Sequence, residues 1–406
     1  MAQHSRSSLY LPPELWIEVF RFATHCPRLY AAKYEPFQDA CGEESEHDIT
    51  LAVKYAIVLV CKQWRALGME MLYEDLRIAR GTSVLKDVLE EDDEMCTKNP
   101  RTVARGRWVR RAELAYTQSA TPTPSPMPAL DILKHCPRLE VLVRPALTWE
   151  RVTQLPSFEY PADAAPLPLL KRLDWWHDNE AARTGGINSL DEVLSRTPKL
   201  EYLSLAGNMS LSLLRQQRHI QLSALKLLRL RKVNAILIRQ ACMLSLPSLT
   251  HVIVDASPPN QALENIWETF GSDIRCVELG AHLRFIVEDN LSIIVSSCPR
   301  LSELNYYIFF TARPRFVAPH PSLKRVGLHA HYNMALSPNE TGDETWKQIE
   351  DHVDAYCPES FPSLQEFVLY GQNWGQIRQD SRFWALEEKV RAQGRRLVID
   401  TMTSWA

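Results

Sequence analysis

The sequence predicts an α/β fold in which a small helical module at the amino terminus is followed by a solenoid of short parallel strands with helical returns. A phrase containing proline and leucine recurs along most of the chain, which is typical of stacked repeats. Two amphipathic stretches near the start have the spacing of helices. Glycine is scarce, at 14 of 406 residues, which disfavours glycine-rich phosphate loops and Rossmann-type nucleotide enzymes.

Charge and cysteine content narrow the class of protein. Lys+Arg total 46 against 49 Asp+Glu, a formal net charge of −3, so no basic excess favours a nucleic-acid partner. The nine cysteines include no C-x-x-C pair, which indicates a reducing compartment. The start lacks an apolar signal segment and no run of 18 apolar residues occurs, so we expect no membrane association and an intracellular protein of the cytoplasm and/or nucleus.

Two apolar periodicities predict the amino-terminal helices. In the first, Pro12 and Pro13 set an extended approach, and Leu15, Val19 and Phe22 recur at i, i+4 and i+7. The second lies in LAVKYAIVLVCKQWRALGMEMLYEDLRI. Its apolar residues are three or four positions apart: Val53, Ile57, Val60, Trp64 and Leu67. Together these stretches predict a small helical unit.

The same residues resemble an F-box, in the form common in large fungal (basidiomycete-type) F-box families. The resemblance rests on L-P-x-E-L from Leu11, on V-C-K-x-W-R from Val60 and on LYEDLRI behind it, and it covers about residues 8–78. It implies a three-helix module that binds a Skp-type adaptor and so joins a cullin-based SCF ubiquitin ligase. It implies no chemistry in this chain.

Matching the F-box pattern position by position implies an adaptor-binding set of Leu11, Pro12, Leu15, Val19, Val60 and Trp64. The alternative is that these side chains form the core of a small helical domain. For Trp64 both interpretations stay open. For Leu11 and Pro12 the interface is favoured, because they precede the helix and have little core to join.

Two segments depart from a compact module. Between Phe20 and Val60 lie 39 residues, more than an F-box has, so we predict an inserted surface loop at about 28–50, since closure entropy grows slowly with loop length. Residues 79–106 change from acidic to basic and are predicted to be a charged linker. A solvated connecting helix and first-repeat face are favoured, and a partner-binding site is the alternative.

The remainder is an internal repeat. Copies of P-x-L-x-x-L-x-L, with substitutions, begin at Pro137, Pro168, Pro198, Pro247, Pro299, Pro321 and Pro362, and weaker copies begin at Val109, Ser223 and Ser272. Successive copies lie 22 to 31 residues apart, except for a last interval of 41 that contains a polar insertion. This period and leucine pattern are typical of leucine-rich repeats, in which each unit supplies one strand and one helical return.

The predicted helical returns are ALDILKHC, SLDEVLSRT, ALENIWETF and NLSIIVSSC. We therefore expect a leucine-rich-repeat solenoid of about ten units over residues 107–406. The asparagine that usually follows the strand of such a repeat is mostly missing, which leaves the turns and the curvature open.

Alternation along each predicted strand turns the residues between the leucines onto the concave side of the solenoid. One outward column is predicted to contain Arg111, Arg172, Tyr202, His251, Glu303, Arg325 and Glu366. Exposed aromatics beside arginines are typical of protein-binding hot spots. The candidate substrate-binding residues are Arg172, Trp176, Tyr202, Arg229, Tyr307 and Tyr370. The alternative is that such an aromatic packs under a neighbouring loop.

No motif of a serine hydrolase, P-loop enzyme, zinc protease or EF-hand occurs, and Cys41 to His47 offers only two metal ligands. We expect no catalysis, no cofactor and no metal. The resemblance implies a non-catalytic substrate-receptor subunit of an SCF-type cullin ubiquitin ligase, which binds a Skp-type adaptor with the F-box and a target protein with the repeats. The alternative is a leucine-rich-repeat scaffold or inhibitor whose helical module is only a cap, without ligase association.

Overall fold

The structure of the chain is a computed structural model. It describes residues 11–38, 44–78, 82–99, 103–114, 130–146, 167–183, 185–213, 219–258, 262–333 and 342–400.

Three helices form the amino-terminal module: α1 (Pro13–Thr24), α2 (Glu44–Val60) and α3 (Lys62–Tyr73). The second apolar periodicity, which suggested one long pattern, is divided at Cys61. That residue is extended (φ −160°), and its Sγ accepts a hydrogen bond from the Trp64 N–H, which caps α3. Phe20 is buried between the helices, and the Trp64 ring centroid lies 4.7 Å from that of Trp16 and 4.8 Å from that of Phe20. Aromatic packing therefore holds the module together.

Twelve strands form one parallel sheet whose spatial order is their order in the chain. They are β1 (Asp75–Ile78), β2 (Arg111–Leu114), β3 (Val141–Arg144), β4 (Arg172–His177), β5 (Tyr202–Gly207), β6 (Leu227–Val233), β7 (His251–Val254), β8 (Cys276–Leu279), β9 (Glu303–Tyr307), β10 (Arg325–His329), β11 (Glu366–Tyr370) and β12 (Arg396–Ile399). Each of the ten repeat phrases supplies one of β2 to β11. Parallel neighbours joined in sequence give a solenoid-like α/β fold.

Helices connect many of the strands. They are α4 (Thr82–Lys98), α5 (Leu130–Leu133), α6 (Asn179–Arg183), α7 (Leu190–Leu194), α8 (Ala235–Cys242), α9 (Glu264–Phe270), α10 (Arg284–Val287), α11 (Asn290–Ser297), α12 (Asp343–Asp354), α13 (Trp374–Ile377) and α14 (Ser381–Ala392). The four predicted helical returns are confirmed, as α5, α7, α9 and α11. None of the helices in the described ranges is both long and apolar enough to cross a membrane.

The sheet begins earlier than the sequence suggested. Asp75 to Ile78, assigned to the helical module, pair in parallel with Arg111 to Leu114, and α4 occupies the predicted linker as the first helical return. The reason is that apolar residues alternate in DLRI. In a strand that pairs with the sheet, Leu76 and Ile78 both point to one side, and there they are buried in the main core. At the other end, β12 adds a strand that no repeat phrase marks.

The strand register confirms the outward column. Arg172 pairs with Tyr202, Tyr202 with Leu227, and Leu227 with His251. The intervening leucines and valines enter the core shared with the helices. The opposite side of the sheet is turned away from that core and carries the outward column. It is called the outer face below. The neighbouring column on it includes Arg229 and Glu278.

Candidate protein-binding surfaces

The first surface is an apolar stripe on α1. Pro12 is the amino-terminal cap of the helix, in an extended conformation, and its carbonyl accepts hydrogen bonds from the N–H groups of Leu15 and Trp16. Leu11, Leu15 and Val19 are exposed, and Phe22, which belongs to the same spacing, is 91% exposed. Phe20 on the opposite side is buried. An apolar stripe left in water at helical spacing is typical of an interface.

Helix α2 adds a second exposed apolar surface. Ile49, Tyr55, Leu59 and Val60 are exposed, whereas Ile57 points into the module. The sequence did not predict that Tyr55 and Leu59 belong to an exposed surface. An all-apolar run such as AIVLV does not show which side of the helix faces the core. Of the predicted adaptor-binding residues, five are exposed: Leu11, Pro12, Leu15, Val19 and Val60.

Trp64 is different from the other five. It is half-buried, and its ring packs on Trp16 and Phe20 within the module. The structure therefore places it in the module's own core, as the alternative interpretation held.

The second surface is the outer face of the sheet, which a segment of the same chain covers. Residues 28–50 were expected to form a surface loop, but residues 27–38, called the strap below, lie against the outer face, and Glu44 onward belongs to α2. Residues 39–43 fall outside the described ranges. The physical reason is that the strap packs two half-buried aromatic rings against the sheet and forms hydrogen bonds with buried charged groups of the sheet.

Two buried arginines hold the strap by its backbone. Arg172 Nη1 donates hydrogen bonds to the carbonyl oxygens of Arg28 and Ala31, at 3.0 and 2.7 Å, and Arg229 Nη1 donates to that of Gln38 at 2.7 Å. Each guanidinium is also fixed by a carboxylate. Asp174 accepts from Arg172 Nε at 2.7 Å, and Asp255 accepts two bonds from Arg229 at 2.8 Å each. These paired arginines are oriented donors for peptide carbonyls.

Tyr34 lies in the centre of the outer face. With Ala32 it packs on an apolar cluster of Tyr202, Leu227 and Ile253. Its hydroxyl donates a hydrogen bond to Glu278 Oε2 at 2.8 Å and accepts one from Asn305 Nδ2 at 2.5 Å. The site thus contacts both the apolar ring and the polar tip of a tyrosine.

Phe37 occupies a cage of three rings. Its centroid lies 5.1 Å from that of Tyr307 and 4.9 Å from those of both His329 and Tyr370. Gly327 makes room for the cage, because a Cβ there would lie 2.0 Å from Asn305 Oδ1 and 2.9 Å from the Tyr370 ring. Burial lowers the pKa of His329 to about 4, so this ring is neutral at physiological pH.

Glu278 joins the tyrosine site to the cage. The same Oε2 that accepts from Tyr34 also accepts from the Phe37 N–H at 2.8 Å. Burial raises the pKa of this carboxyl to about 7, although the Phe37 N–H and the charge of Arg229 act in the opposite direction.

The raised pKa of Glu278 predicts a pH-dependent stability. In the unfolded chain this carboxyl titrates near 4.5, so its contribution is fully present below that pH and is lost as the pH rises through the folded value of about 7. The loss is on the order of 3 kcal/mol. Glu278→Gln should remove this component, which urea unfolding at several pH values between 4.5 and 8 would measure. Exposed Glu388→Gln is the control and should leave the pH profile unchanged.

The structure brings together most of the predicted substrate-binding residues, but it covers them. Arg172, Tyr202, Arg229 and Tyr370 are buried, and Tyr307 is half-buried. The prediction of an exposed hot spot is therefore wrong for the four buried residues. The strap packs on the sheet there, which agrees with the alternative that such side chains lie under a loop. Trp176 is half-buried in β4.

Among the residues whose side chains the structure describes, no three His, Cys, Asp or Glu side chains form a group able to hold a metal ion. The candidate stretch from Cys41 to His47 lies outside those residues. Neither the known family models nor the curated protein sequences contain a match to this chain.

Proposed function

We propose that the chain is a non-catalytic substrate-receptor subunit of an SCF-type cullin ubiquitin ligase. Its helical module is the F-box that binds a Skp-type adaptor, and its leucine-rich repeats bind a target protein in the cytoplasm or nucleus. The observation that carries the proposal is the exposed apolar stripe of Leu11, Leu15 and Val19, joined by exposed Val60. These are positions at which the F-box resemblance implies adaptor contacts.

The way the module joins the solenoid also favours this role. Two residues separate the end of α1 at Thr24 from the strap, and one residue separates the end of α3 at Tyr73 from β1. Such short connections restrict the module's motion relative to the repeats. An adaptor bound to the module would therefore hold a target on the repeats in a defined orientation, which ubiquitin transfer by other subunits requires.

Copurification of the tagged full chain with a Skp-type adaptor and cullin tests the proposal. We expect recovery with the intact chain and at least about a tenfold loss with the variant Leu11→Ala/Pro12→Ala/Leu15→Asp, because interface anchors carry most of the binding energy. Val317→Asp is the matched control: it also places a charge at an exposed apolar residue, but on the solenoid, and should leave recovery unchanged. Equal recovery with the triple variant would contradict the proposal.

The second candidate function is a protein-binding leucine-rich-repeat scaffold or inhibitor with a helical cap. The packing of α3 favours it: Tyr73 packs against the main core, its ring lies 6.4 Å from that of Trp108, and Arg105 lies 5.5 Å from the Tyr73 ring centroid. A solenoid end needs such cover. Failure of the intact chain to recover any adaptor, in a preparation that folds, would favour this function.

A further inference from the structure

We propose that the outer face of the sheet is a binding groove for a peptide with tyrosine and phenylalanine three residues apart, and that the strap is its internal occupant. The groove is the set of sheet residues that contact the strap, chief among them Arg172, Arg229, Glu278, Tyr307, His329 and Tyr370.

The groove recognises features that a peptide from another protein also presents. Arg172 and Arg229 bind backbone carbonyls, and Glu278 binds a backbone N–H, so these contacts do not depend on the peptide's sequence. Each arginine is paired with a carboxylate of the sheet, which keeps the donors oriented. Once the strap has left, the groove residues themselves need little rearrangement to accept a ligand.

Two side-chain positions give the groove its selectivity. The Tyr34 position combines an apolar floor with a hydroxyl acceptor and donor, and the Phe37 position is the cage of three rings. The strap's Lys33 and Glu35 are exposed, so the groove places no comparable demand on them. The ligand pattern is therefore Tyr-x-x-Phe, with the first intervening residue free to vary and a turn before the phenylalanine.

The strap occupies this groove with local strain and incomplete pairing. Phe37 has a φ of +55°, a conformation that residues other than glycine rarely adopt. The buried hydroxyl of Tyr30 has no hydrogen-bond partner within the described part of the chain. The strap also forms no strand with the sheet. A free peptide can therefore compete with the strap at a concentration comparable with the effective concentration that covalent attachment gives the strap, which is in the millimolar range.

A full-length variant with an emptied groove tests the proposal. Tyr34→Ala/Phe37→Ala removes the two anchors of the strap and leaves every groove residue in place. A fluorescein-labelled peptide of residues 27–38, PRLYAAKYEPFQ, should bind this variant at least about tenfold more tightly than it binds the intact chain, by fluorescence anisotropy. The control peptide, with alanine at the positions of Tyr34 and Phe37, should bind the variant at least about tenfold more weakly.

A folded variant that does not bind the peptide, or that binds both peptides equally, would overturn the proposal and leave the strap a structural brace. If the variant does not fold, amide hydrogen exchange of the intact chain decides. Unlabelled peptide at about 5 mM, above the strap's effective concentration, should speed exchange at the strap amides, including Phe37 N–H. Unchanged exchange would refute the groove. Neither readout involves the adaptor, so the ubiquitin-ligase proposal and this one can fail separately.

Discussion

Replacing Asp75 by alanine is expected to lower the free energy of unfolding by about 3 to 5 kcal/mol. Asp75 Oδ1 lies 2.7 Å from Arg111 Nη1, and these side chains are 2% and 4% exposed. Burial lowers the pKa of Lys54, and the Asp75 charge acts in the opposite direction. Without this carboxylate, buried Arg111 would keep Glu113, which lies 3.1 Å from its Nη2, and buried Lys54 would keep the weaker effect of Glu74. Urea unfolding followed by circular dichroism would measure the change.

Asp273→Ala is the matched control for this experiment. Asp273 and Arg300 form an ion pair with the same 2.7 Å separation, but their side chains are 60% and 67% exposed. In water such a pair contributes between about 0 and 1 kcal/mol. Equal destabilisation by the two substitutions would contradict burial as the reason that the pair of Asp75 and Arg111 matters.

Trp374→Ala is expected to have a similarly large effect, a loss of about 3 to 5 kcal/mol. The ring is 1% exposed, and its Nε1 donates a hydrogen bond to the Leu328 carbonyl at 3.0 Å. The substitution leaves a cavity behind β10 and β11 and removes a partner from a buried carbonyl. Thermal unfolding and urea unfolding would both report the loss.

Trp384→Ala removes the same side chain from α14, where it is 56% exposed. It should change the free energy of unfolding by no more than about 0.5 kcal/mol, because a surface site leaves no cavity. A large effect there would mean that the exposed face of α14 is packed in solution. Near-equal values for the two variants would contradict the position of Trp374 in the core.

The strands of the repeat could be predicted from the sequence because each is a local pattern. In PKLEYLSL, Leu203 and Leu205 enter the core while Tyr202 and Ser204 lie on the outer face, and neighbouring phrases repeat this arrangement in register. Period-2 alternation, together with a fixed repeat, determines both the strand and its two faces. Where the phrase was absent, as for β1 and β12, the sequence reasoning missed the strand.

The helical module was predictable in part, for the same physical reason. The regular spacing in α1 identified the stripe of Leu15, Val19 and Phe22. It could not tell whether that stripe or Phe20 would face the partner helices. The apolar run of α2 was more ambiguous still, since Ile57 is buried while Leu59 is exposed.

The sequence by itself determined the repeated parallel strands, their outward columns and the amphipathic helices, because these follow from spacings of two to four residues and from one recurring phrase. Only the tertiary structure decided that the outer face is covered. The strap contacts depend on pairs such as Tyr34 with Glu278 and Gln38 with Arg229, which lie 244 and 191 residues apart in the chain. No local pattern encodes such a pairing, since it arises from the shape and charge of a surface that exists only after the strands have assembled.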